Sequence, residues 1–345
     1  MPNIIEGILT FETNSSPILW EIPFDKSQNY YRIPTAWIKQ FNLKNGARLN
    51  CEIHGNKVVY LHSVCDQDPV KFKKRKKFNT LIASNPTVRF NFSKSKYEAL
   101  RLLDKIAPIG KGSRALIVSP PKAGKTTLLE NLAKELVEAQ KQKNVIVLLI
   151  DERPEEITAF RYQTKAKVYH SSMDLDPQSH RKLSNLMIEN IKMEVECGND
   201  ITILLDSLTR LGRAYNLSAN SSGRTMSGGL GSNALEIPRK LFGLARNIEG
   251  GGSCTIISTI LTDTGSRMDQ MIFQEFKGTG NCDIILDRSL AEERIFPALN
   301  IRESGTRKEN LLFTPEEMEE VNQLRRKVFK MDNAKAIEYL KSIDK

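Results

Sequence analysis

One stretch of the sequence constrains the fold more than any other: an apolar run, a small-residue loop and an amphipathic run in direct succession. The three parts are RALIVS (114–119), PPKAGKT (120–126) and TLLENLAKELVEAQ (127–140). In the third part, leucines recur at helical spacing: Leu128, Leu129, Leu132 and Leu136. A strand that runs through such a loop into a helix lets backbone N–H groups and the helix N-terminus bind a phosphate group. The pattern therefore predicts an α/β fold with a phosphate-binding loop.

The residues of this loop have separate expected roles in binding a nucleotide. Lys125 supplies a positive charge to the β- and γ-phosphates, and the Thr126 hydroxyl is a ligand for Mg²⁺. Ser119 stands where the usual pattern has glycine, and the two prolines that follow it lack N–H donors. Those donors lie upstream of the phosphate contacts, so we expect a working ATP site. The expected nucleotide contacts in the loop are Lys122, Ala123, Gly124, Lys125, Thr126 and Thr127.

Further apolar runs alternate with helical patterns along the rest of the chain. They are NVIVLLID (144–151), DITILLD (200–206), SCTIISTIL (253–261) and CDIILDRS (282–289). Near-continuous apolar strands that alternate with helices predict a parallel sheet covered on both faces. We find no internal repeat.

Acidic residues follow two of these strands, where the ligand crevice of a parallel sheet is expected. Asp206 ends one strand at the position from which a carboxylate holds Mg²⁺; in isolation it is equally an ordinary polar strand end. Asp151, Glu152 and Arg153 end another. Spacing alone does not decide which acid activates water; we select Glu152, and Arg153 can reach phosphate.

The first 65 or so residues have a different pattern, with short alternating runs separated by turn signals such as NLKNG and HGNK. Such runs predict a small β-barrel or sandwich. We divide the chain into this domain (1–67), a basic linker (68–95) and an α/β domain (96–345). Trp20 and Tyr31 are candidates for stacking on RNA bases, with core burial as the alternative.

The linker carries six Lys or Arg residues within residues 71–77, and the whole chain has a formal net charge of +10. A solvated linker and a phosphate-contacting patch both explain the run. The five cysteines form no CxxC pair, which argues against a zinc site and fits a reducing compartment. The N-terminus lacks the pattern of a signal peptide and no run is long enough to span a bilayer, so we expect a cytoplasmic protein without a membrane partner.

Several loops rich in Gly and Ser carry single cations, which suits contact with a nucleic-acid backbone; ordinary surface loops are the alternative. The residues expected to contact RNA there are Arg224, Thr225, Ser227, Arg267 and Lys277. Arg307 lies in another Gly-containing loop, SGTRKEN. An arginine of this kind is usually a surface residue, but in oligomeric ATPases it can insert into a neighbour's site.

A set of motifs in this order resembles the transcription termination factor Rho family: PPKAGKT, LLIDERPEE, LLDSLTRLGRAYN, FGLARNIEGGGS, DTGSRMDQMI, EFKGTGN, RIFPALN and SGTRKENLL. The resemblance covers residues 96–345 and extends weakly toward the N-terminus. It implies a RecA-like P-loop ATPase domain preceded by a small OB or cold-shock-like barrel. It also implies a homohexameric ring that hydrolyses ATP with Mg²⁺ as RNA threads its pore and that releases the nascent transcript from RNA polymerase.

By position, the resemblance implies roles for individual residues. Lys125, Glu152 and Asp206 are catalytic, Arg210 matches an arginine valve, and Arg307 matches an arginine finger. Phe296 matches the aromatic residue that stacks on adenine. A second segment near the nucleotide consists of Gly110, Lys111, Gly112, Ser113, Arg114 and Ala115.

The N-terminal region departs from the family pattern, since the small helical subdomain that usually precedes the barrel is missing and the aromatic motif differs. We interpret the chain as a divergent, N-terminally shortened member. The alternative function is a non-catalytic, ATP-binding RNA regulator with altered RNA loading. An export or rotary ATPase shares the DSLTR motif but is disfavoured by the PPKAGKT loop.

Overall fold

The N-terminal part of the chain is a closed five-stranded barrel in the computed structural model, which describes residues 3–11, 17–21, 30–219, 229–231 and 233–344. Its strands are β1 (Asn3–Thr10), β2 (Ile18–Glu21), β3 (Tyr30–Arg32), β4 (Arg48–His54) and β5 (Lys57–Val64), and helix α1 (Thr35–Gln40) follows β3. The strands close in the order β1-β2-β3-β5-β4. The predicted small β-barrel is confirmed, and it has five strands.

The barrel is fixed to the second domain by a buried arginine. The Arg48 side chain, 7% exposed, pairs with Glu194 at 2.7 Å, Glu6 at 2.9 Å and Asp66 at 2.7 Å. Glu194 belongs to helix α6 of the second domain (Pro177–Glu196). Because the Arg48 and Glu194 side chains are withdrawn from water, this pair is a buried ionic contact between the barrel and the second domain.

The second domain contains a nine-stranded sheet whose central strands are parallel. The remaining strands of the chain are β6 (Ala83–Ser84), β7 (Arg114–Ser119), β8 (Val145–Glu152), β9 (Lys167–Ser172), β10 (Ile201–Asp206), β11 (Arg246–Ile248), β12 (Ser253–Leu261), β13 (Cys282–Ile285) and β14 (Gly305–Thr306). The main order is β14-β13-β7-β12-β10-β8-β9, with β11 paired to β12 and β6.

Helices cover both faces of this sheet. The other helices are α2 (Pro69–Lys73), α3 (Glu98–Ile106), α4 (Lys125–Lys134), α5 (Pro154–Gln163), α7 (Leu208–Ala219), α8 (Glu236–Phe242), α9 (Arg267–Phe276), α10 (Arg288–Glu292), α11 (Pro315–Val328) and α12 (Asn333–Ile343). In β7, Ala115 and Ile117 pack into one core, whereas Leu116 and Val118 pack into the other. The predicted α/β domain with a covered parallel sheet is therefore confirmed.

The segment 68–95, predicted to be a basic linker, packs against both domains. Phe72 lies in the barrel core, and Phe90 and Phe92 lie in the core of the second domain. Strand β6 within it pairs with β11. The lysine side chains are exposed, but the backbone that carries them is held in place.

Across the ranges that the structure describes, no helix combines the length and the apolar character needed to cross a membrane.

Candidate functional site

The phosphate-binding loop joins β7 to α4 at the carboxyl end of the sheet. Gly124 immediately precedes α4 and has a φ of +89°, and Lys122 has a φ of +64°. Ser119, in contrast, is the last residue of the strand and is fully buried, with its hydroxyl donating to the Pro120 carbonyl at 2.8 Å. The position that departs from the usual glycine therefore lies before the curved part of the loop, where no left-handed backbone is required.

Lys125 and Asp206 meet at this end of the sheet. The Lys125 Nζ donates to both oxygens of Asp206 at 2.6 Å and lies 3.7 Å from Glu152 Oε1. Asp206, 1% exposed, also accepts a 2.8 Å hydrogen bond from the Thr259 hydroxyl. The four side chains come from α4, β8, β10 and β12, so the sheet topology assembles them from distant parts of the sequence.

A bulge at the end of β8 positions Glu152. Asp151 has a φ of +57°, and the pairing with β9 skips it, because Ile150 pairs with Ser171 and Glu152 with Ser172. A bulge re-aims the side chains that follow it, and such irregularities are frequent beside active sites. Here the bulge turns Glu152 into the buried space beside Asp206.

The Glu152 carboxyl is buried without conventional hydrogen bonds. It is 1% exposed, and neither of its oxygens has a hydrogen-bond partner among the described residues. Burial, and secondly the negative charge of Asp206, raise the pKa of Glu152 to about 7, while Lys125 and Arg210 oppose this shift. A carboxyl with a pKa near neutrality is suited to accept a proton.

Arg210 lies on the first turn of α7 and reaches back to the end of β8. Its Nε is 3.0 Å from Glu152 Oε1, and its Nη1 donates to the Asp151 carbonyl. The Nε–carboxylate contact is an ion pair without hydrogen-bond alignment. Arg210 therefore contacts Glu152, the carboxylate predicted to activate water, within one chain. Arg153 is exposed and immediately precedes α5.

The Phe296 ring lies beside the phosphate-binding loop. A Cβ built on Gly124 would lie 3.7 Å from the ring, and Phe296 is 41% exposed. The ring helps to line a cavity of about 460 Å³ together with Pro121, Lys122 and Arg294. An exposed aromatic face in a cavity next to the loop fits the predicted contact with adenine.

The second predicted nucleotide segment, Gly110 to Ala115, lies elsewhere. It opens β7, whereas the phosphate-binding loop follows the same strand; the six residues of β7 separate the two by roughly 17 Å. Ser113 and Ala115 are buried, and Lys111 pairs with Asp200 at 2.8 Å. Within one chain this segment does not join the site, because the strand between the two segments is fully extended.

Arg307 lies near the start of β7, at the end of the sheet opposite to the phosphate-binding loop. It is exposed and lines a cavity of about 170 Å³ together with Ser113, Asn281 and Thr306. Its backbone N–H donates to the Asn281 carbonyl at 2.8 Å. The predicted nucleotide residues therefore form two groups, one at the start of β7 and the other at its end.

The residues predicted to contact RNA are also divided. Arg267 is exposed at the start of α9, and Lys277 is exposed just after its end, about 15 Å away. Lys277 lies next to Gly278, where an added Cβ would be 3.5 Å from Arg307 Nη2. Thus α9 places Lys277 with the Arg307 group and not with Arg267. Three further predicted contacts lie outside the described residues: Arg224, Thr225 and Ser227.

In the barrel, the prediction for Tyr31 requires correction. Tyr31 is 7% exposed in the barrel core, and its hydroxyl donates to Glu21 at 3.2 Å, so its ring has no face available for a base. Neighbouring side chains of a strand point to opposite faces, and Tyr30 is 45% exposed. Its ring lies 5.7 Å from that of the half-buried Trp20, so Trp20 and Tyr30 form the aromatic pair on this face.

Sequence reasoning missed two contacts of the site. Thr259 is a polar residue in the otherwise apolar run of β12, and that interruption is the available signal. Arg213, three residues after Arg210 on α7, forms two contacts with the buried carboxylate of Asp269 on α9. Asp269 also accepts a hydrogen bond from the Thr264 hydroxyl at 2.6 Å, in the loop before Arg267. Helix α7 therefore contacts Glu152 through Arg210 and, through Arg213 and Asp269, contacts this loop.

Comparison with known proteins identifies the nucleotide-binding region and close relatives. Residues 99–306 match the ATP synthase alpha/beta family, nucleotide-binding domain. Transcription termination factor Rho of Borreliella burgdorferi is 46% identical over 319 residues, covering 89% of this chain and 61% of that protein. Rho of Bacillus subtilis is 42% identical over 331 residues, covering 93% and 78%. Rho of Karelsulcia muelleri is 42% identical over 320 residues, covering 90% and 84%.

Solved structures with the same fold are more distant in sequence. A prototypical ATPase from the type III secretion system of pathogenic bacteria has a TM-score of 0.65 at 21% identity, covering 82% of this chain and 79% of that chain. The assembled ATPase EscN from the enteropathogenic E. coli type III secretion system has a TM-score of 0.64 at 18% identity, covering 100% and 92%. These likenesses show the fold alone.

The coverage of the relatives themselves differs. The chain spans 61% of the B. burgdorferi protein and 50% of the Mycobacterium bovis Rho, to which it is 46% identical. It spans 78% and 84% of the B. subtilis and K. muelleri proteins. With this coverage at 42% identity, the chain belongs to the transcription termination factor Rho family.

Proposed function

We propose that this protein is an RNA-dependent ATPase and RNA translocase that promotes transcription termination by releasing the nascent transcript. The observation that carries the proposal is the cluster at the end of the sheet, where Lys125 contacts Asp206 and Glu152, and Arg210 contacts Glu152. A non-catalytic regulator needs to bind ATP but has no use for a buried, proton-accepting carboxylate. The presence of Glu152 in that position therefore favours hydrolysis.

The residues of the loop fit ATP and Mg²⁺. Gly124 leaves the space beside the Phe296 ring open, and the backbone amides at the start of α4 are oriented to bind phosphate oxygens. The Thr126 hydroxyl and the Asp206 carboxylate are the oxygen ligands that Mg²⁺ prefers. When bound, Mg²⁺ supplies positive charge to the β- and γ-phosphates.

Hydrolysis requires a water molecule to attack the γ-phosphorus while the bond to the β–γ bridging oxygen breaks. Glu152 is the group that orients this water and accepts its proton, and Lys125 stabilises the negative charge that develops on the γ-phosphate. Arg210 holds the Glu152 carboxylate through the 3.0 Å ion pair. The site thus assigns separate roles to the base and to the cations.

Arg307 completes the site from a neighbouring copy in a homohexameric ring. Its position with Ser113 at the opposite edge supports this arrangement, because Arg307 is too far from Lys125 to act within its own chain. A mixing experiment tests it. We expect Lys125→Ala and Arg307→Ala proteins to be inactive alone and their mixture to regain ATP hydrolysis at interfaces that pair an intact loop with an intact Arg307. A mixture as inactive as its components would contradict a shared site.

RNA contacts both domains in this proposal. Arg267 is exposed near the site and contacts the strand in the pore, and the Trp20 and Tyr30 rings stack on bases at the barrel. RNA polymerase in the cytoplasm is the partner whose transcript is released.

Transcript release from stalled transcription complexes tests the function. Bead-bound complexes with labelled RNA are incubated with the protein and ATP, and free RNA is measured. We expect release with wild-type protein and none with Glu152→Gln, which retains ATP binding. Equal release by the two proteins would overturn the proposed role of hydrolysis, and no release by either would overturn the proposed function.

A further inference from the structure

The basic segment, which we define as residues 71–77, has a backbone that is anchored at both ends. Phe72 is fully buried and Phe78, the next residue after the segment, is 5% exposed. Between them, Arg75 pairs with Glu196 at 2.8 Å and lies 3.7 Å over the Phe72 ring. The second oxygen of Glu196 accepts the Phe78 backbone N–H at 2.8 Å. The segment is therefore a fixed surface at the junction of the two domains.

Five lysine side chains project from this surface into solvent: Lys71, Lys73, Lys74, Lys76 and Lys77. None of them has an ion pair with an acidic side chain in the part of the chain that the structure describes. Like charges held this close repel one another. At the same junction Arg48 is surrounded by three carboxylates, whereas these five lysines have no such partners among the described residues, so the basic segment is a local excess of positive charge.

The positive surface continues from the basic segment toward the second domain. The Arg246 guanidinium lies 4.1 Å over the Phe78 ring. Arg114 lies close by, because its Nη1 donates to the carbonyl of Ala245, the residue before Arg246, at 3.3 Å. Arg114 Nε in turn donates to the Thr279 carbonyl at 3.3 Å, in the loop that carries Lys277. Cations therefore extend from the domain junction to the edge of the sheet.

We propose that the five lysines of the basic segment bind the phosphate backbone of single-stranded RNA, between the barrel and the ATPase domain. The inference rests on the proposed RNA-dependent function and adds a contact surface to it. Lysine ammonium groups bind phosphates as point charges and carry no base specificity, so the contact is independent of sequence.

An acidic protein is a less suitable occupant of this surface. The centres of protein–protein interfaces are depleted in lysine, whereas protein surfaces that bind nucleic acid are rich in positive charge. A row of mobile ammonium groups on a fixed backbone also suits a strand whose charges repeat at regular intervals. The basic segment therefore favours a nucleic-acid strand.

The test compares RNA binding by two five-residue variants over a range of salt concentrations. In the first, Lys71, Lys73, Lys74, Lys76 and Lys77 are each changed to Gln. In the matched control, the exposed residues Lys94, Lys165, Lys327, Lys330 and Lys335 are changed to Gln, so the net charge is the same. Binding of labelled oligocytidine and oligouridine is followed by fluorescence anisotropy, and basal ATP hydrolysis and the thermal midpoint verify folding.

The slope of log affinity against log salt reports the number of phosphate contacts. Each single-strand contact contributes about 0.7, so we expect the first variant to lose roughly 2 to 3 from the slope. Its affinity is expected to fall roughly 10- to 100-fold at low salt, equally for both oligonucleotides, while the control variant matches wild type.

Each other outcome overturns the inference. If wild type binds RNA and both variants share its slope, the lysines contact no phosphates. A loss confined to one oligonucleotide would contradict a backbone contact. A wild-type protein that binds neither oligonucleotide, and whose ATP hydrolysis no RNA stimulates, would overturn the proposed function together with this inference.

Discussion

Lys125 Nζ lies 2.6 Å from both carboxylate oxygens of Asp206, so the cation of the phosphate-binding loop is paired with the acid at the end of β10. Glu152 Oε1 is only 3.7 Å from the same ammonium group. One lysine thus contacts two carboxylates that are each 1% exposed, and Arg210 contacts the second of them, Glu152. In the proposed function, Lys125 leaves Asp206 to reach the γ-phosphate, and the Asp206 oxygens are then free to hold Mg²⁺.

The first prediction concerns the stability of the nucleotide-free protein. Lys125→Met removes the cation that contacts both carboxylates, which among the described residues leaves Asp206 without a cation and Glu152 with Arg210 alone, and is expected to lower the free energy of unfolding by about 3 kcal/mol. Adding Asp206→Asn removes one of the carboxylates and should restore part of the loss. Urea unfolding measures both values, and a Lys125→Met protein as stable as wild type would show that the pairing contributes nothing.

The second prediction concerns the Thr259 hydroxyl, which donates to Asp206 at 2.8 Å. Thr259→Val keeps the shape of the side chain but leaves Asp206 without this donor, and kcat for ATP hydrolysis should fall roughly 10- to 100-fold. Thr259→Ser retains the hydroxyl and should stay near wild type. Ser258→Ala, which removes a hydroxyl from the adjacent position of β12, is the matched control. Equal kcat for Thr259→Val and wild type would exclude the proposed positioning.

The third prediction concerns pH and Glu152. Its pKa is raised from the usual 4.5 to about 7 in the folded chain. The protonated carboxyl therefore contributes stability that is fully present below about pH 4.5 and is lost as the pH rises through about 7. Between about pH 5 and pH 8, wild type should lose about 1–3 kcal/mol of stability relative to Glu152→Gln.

Urea midpoints of the two proteins at several pH values measure this difference. A constant difference between them across the range would contradict the raised pKa. The same ionisation predicts that ATP hydrolysis rises with pH through about 7, because only the ionised carboxylate accepts a proton.

How far the sequence predicted this site depends on whether the deciding contacts are local. The loop before α4 was predictable, since its strand, its glycine and its helix are adjacent in the chain. Thr259 was not, because its contact with Asp206 exists only after β12 pairs with β10. Likewise, Gly110 precedes the loop by only ten residues, yet the extended strand β7 carries the two to opposite ends of the sheet.

The error at Tyr31 has a different physical origin. Tyr30 and Tyr31 are adjacent, so one of them must face the barrel interior, but aromatic side chains suit either face. Which one is buried depends on the register in which β3 pairs with β2. The local pattern therefore predicted the barrel, but not which of the two tyrosines faces its interior.

The fourth prediction concerns the junction of the domains. Arg48→Met leaves Glu194 buried without its partner at 2.7 Å and should lower the free energy of unfolding by about 3 kcal/mol or more. The double variant Arg48→Met with Glu194→Leu removes the buried charge and should recover part of that loss. Lys335→Met breaks only an exposed pair with Asp332, so a change of about 0.5 kcal/mol or less is expected. Similar losses for Arg48→Met and Lys335→Met would show that the buried contact does not hold the domains.

The central claim is that RNA drives ATP hydrolysis at the site formed by Lys125, Glu152 and Asp206. The most direct measurement is the steady-state rate of ATP hydrolysis by wild type and Glu152→Gln with no RNA, with cytidine-rich RNA and with other RNAs. We predict that at least one RNA stimulates wild type strongly and that Glu152→Gln loses roughly 100-fold or more of that rate. A wild-type rate that is the same with every RNA and without RNA would contradict the account.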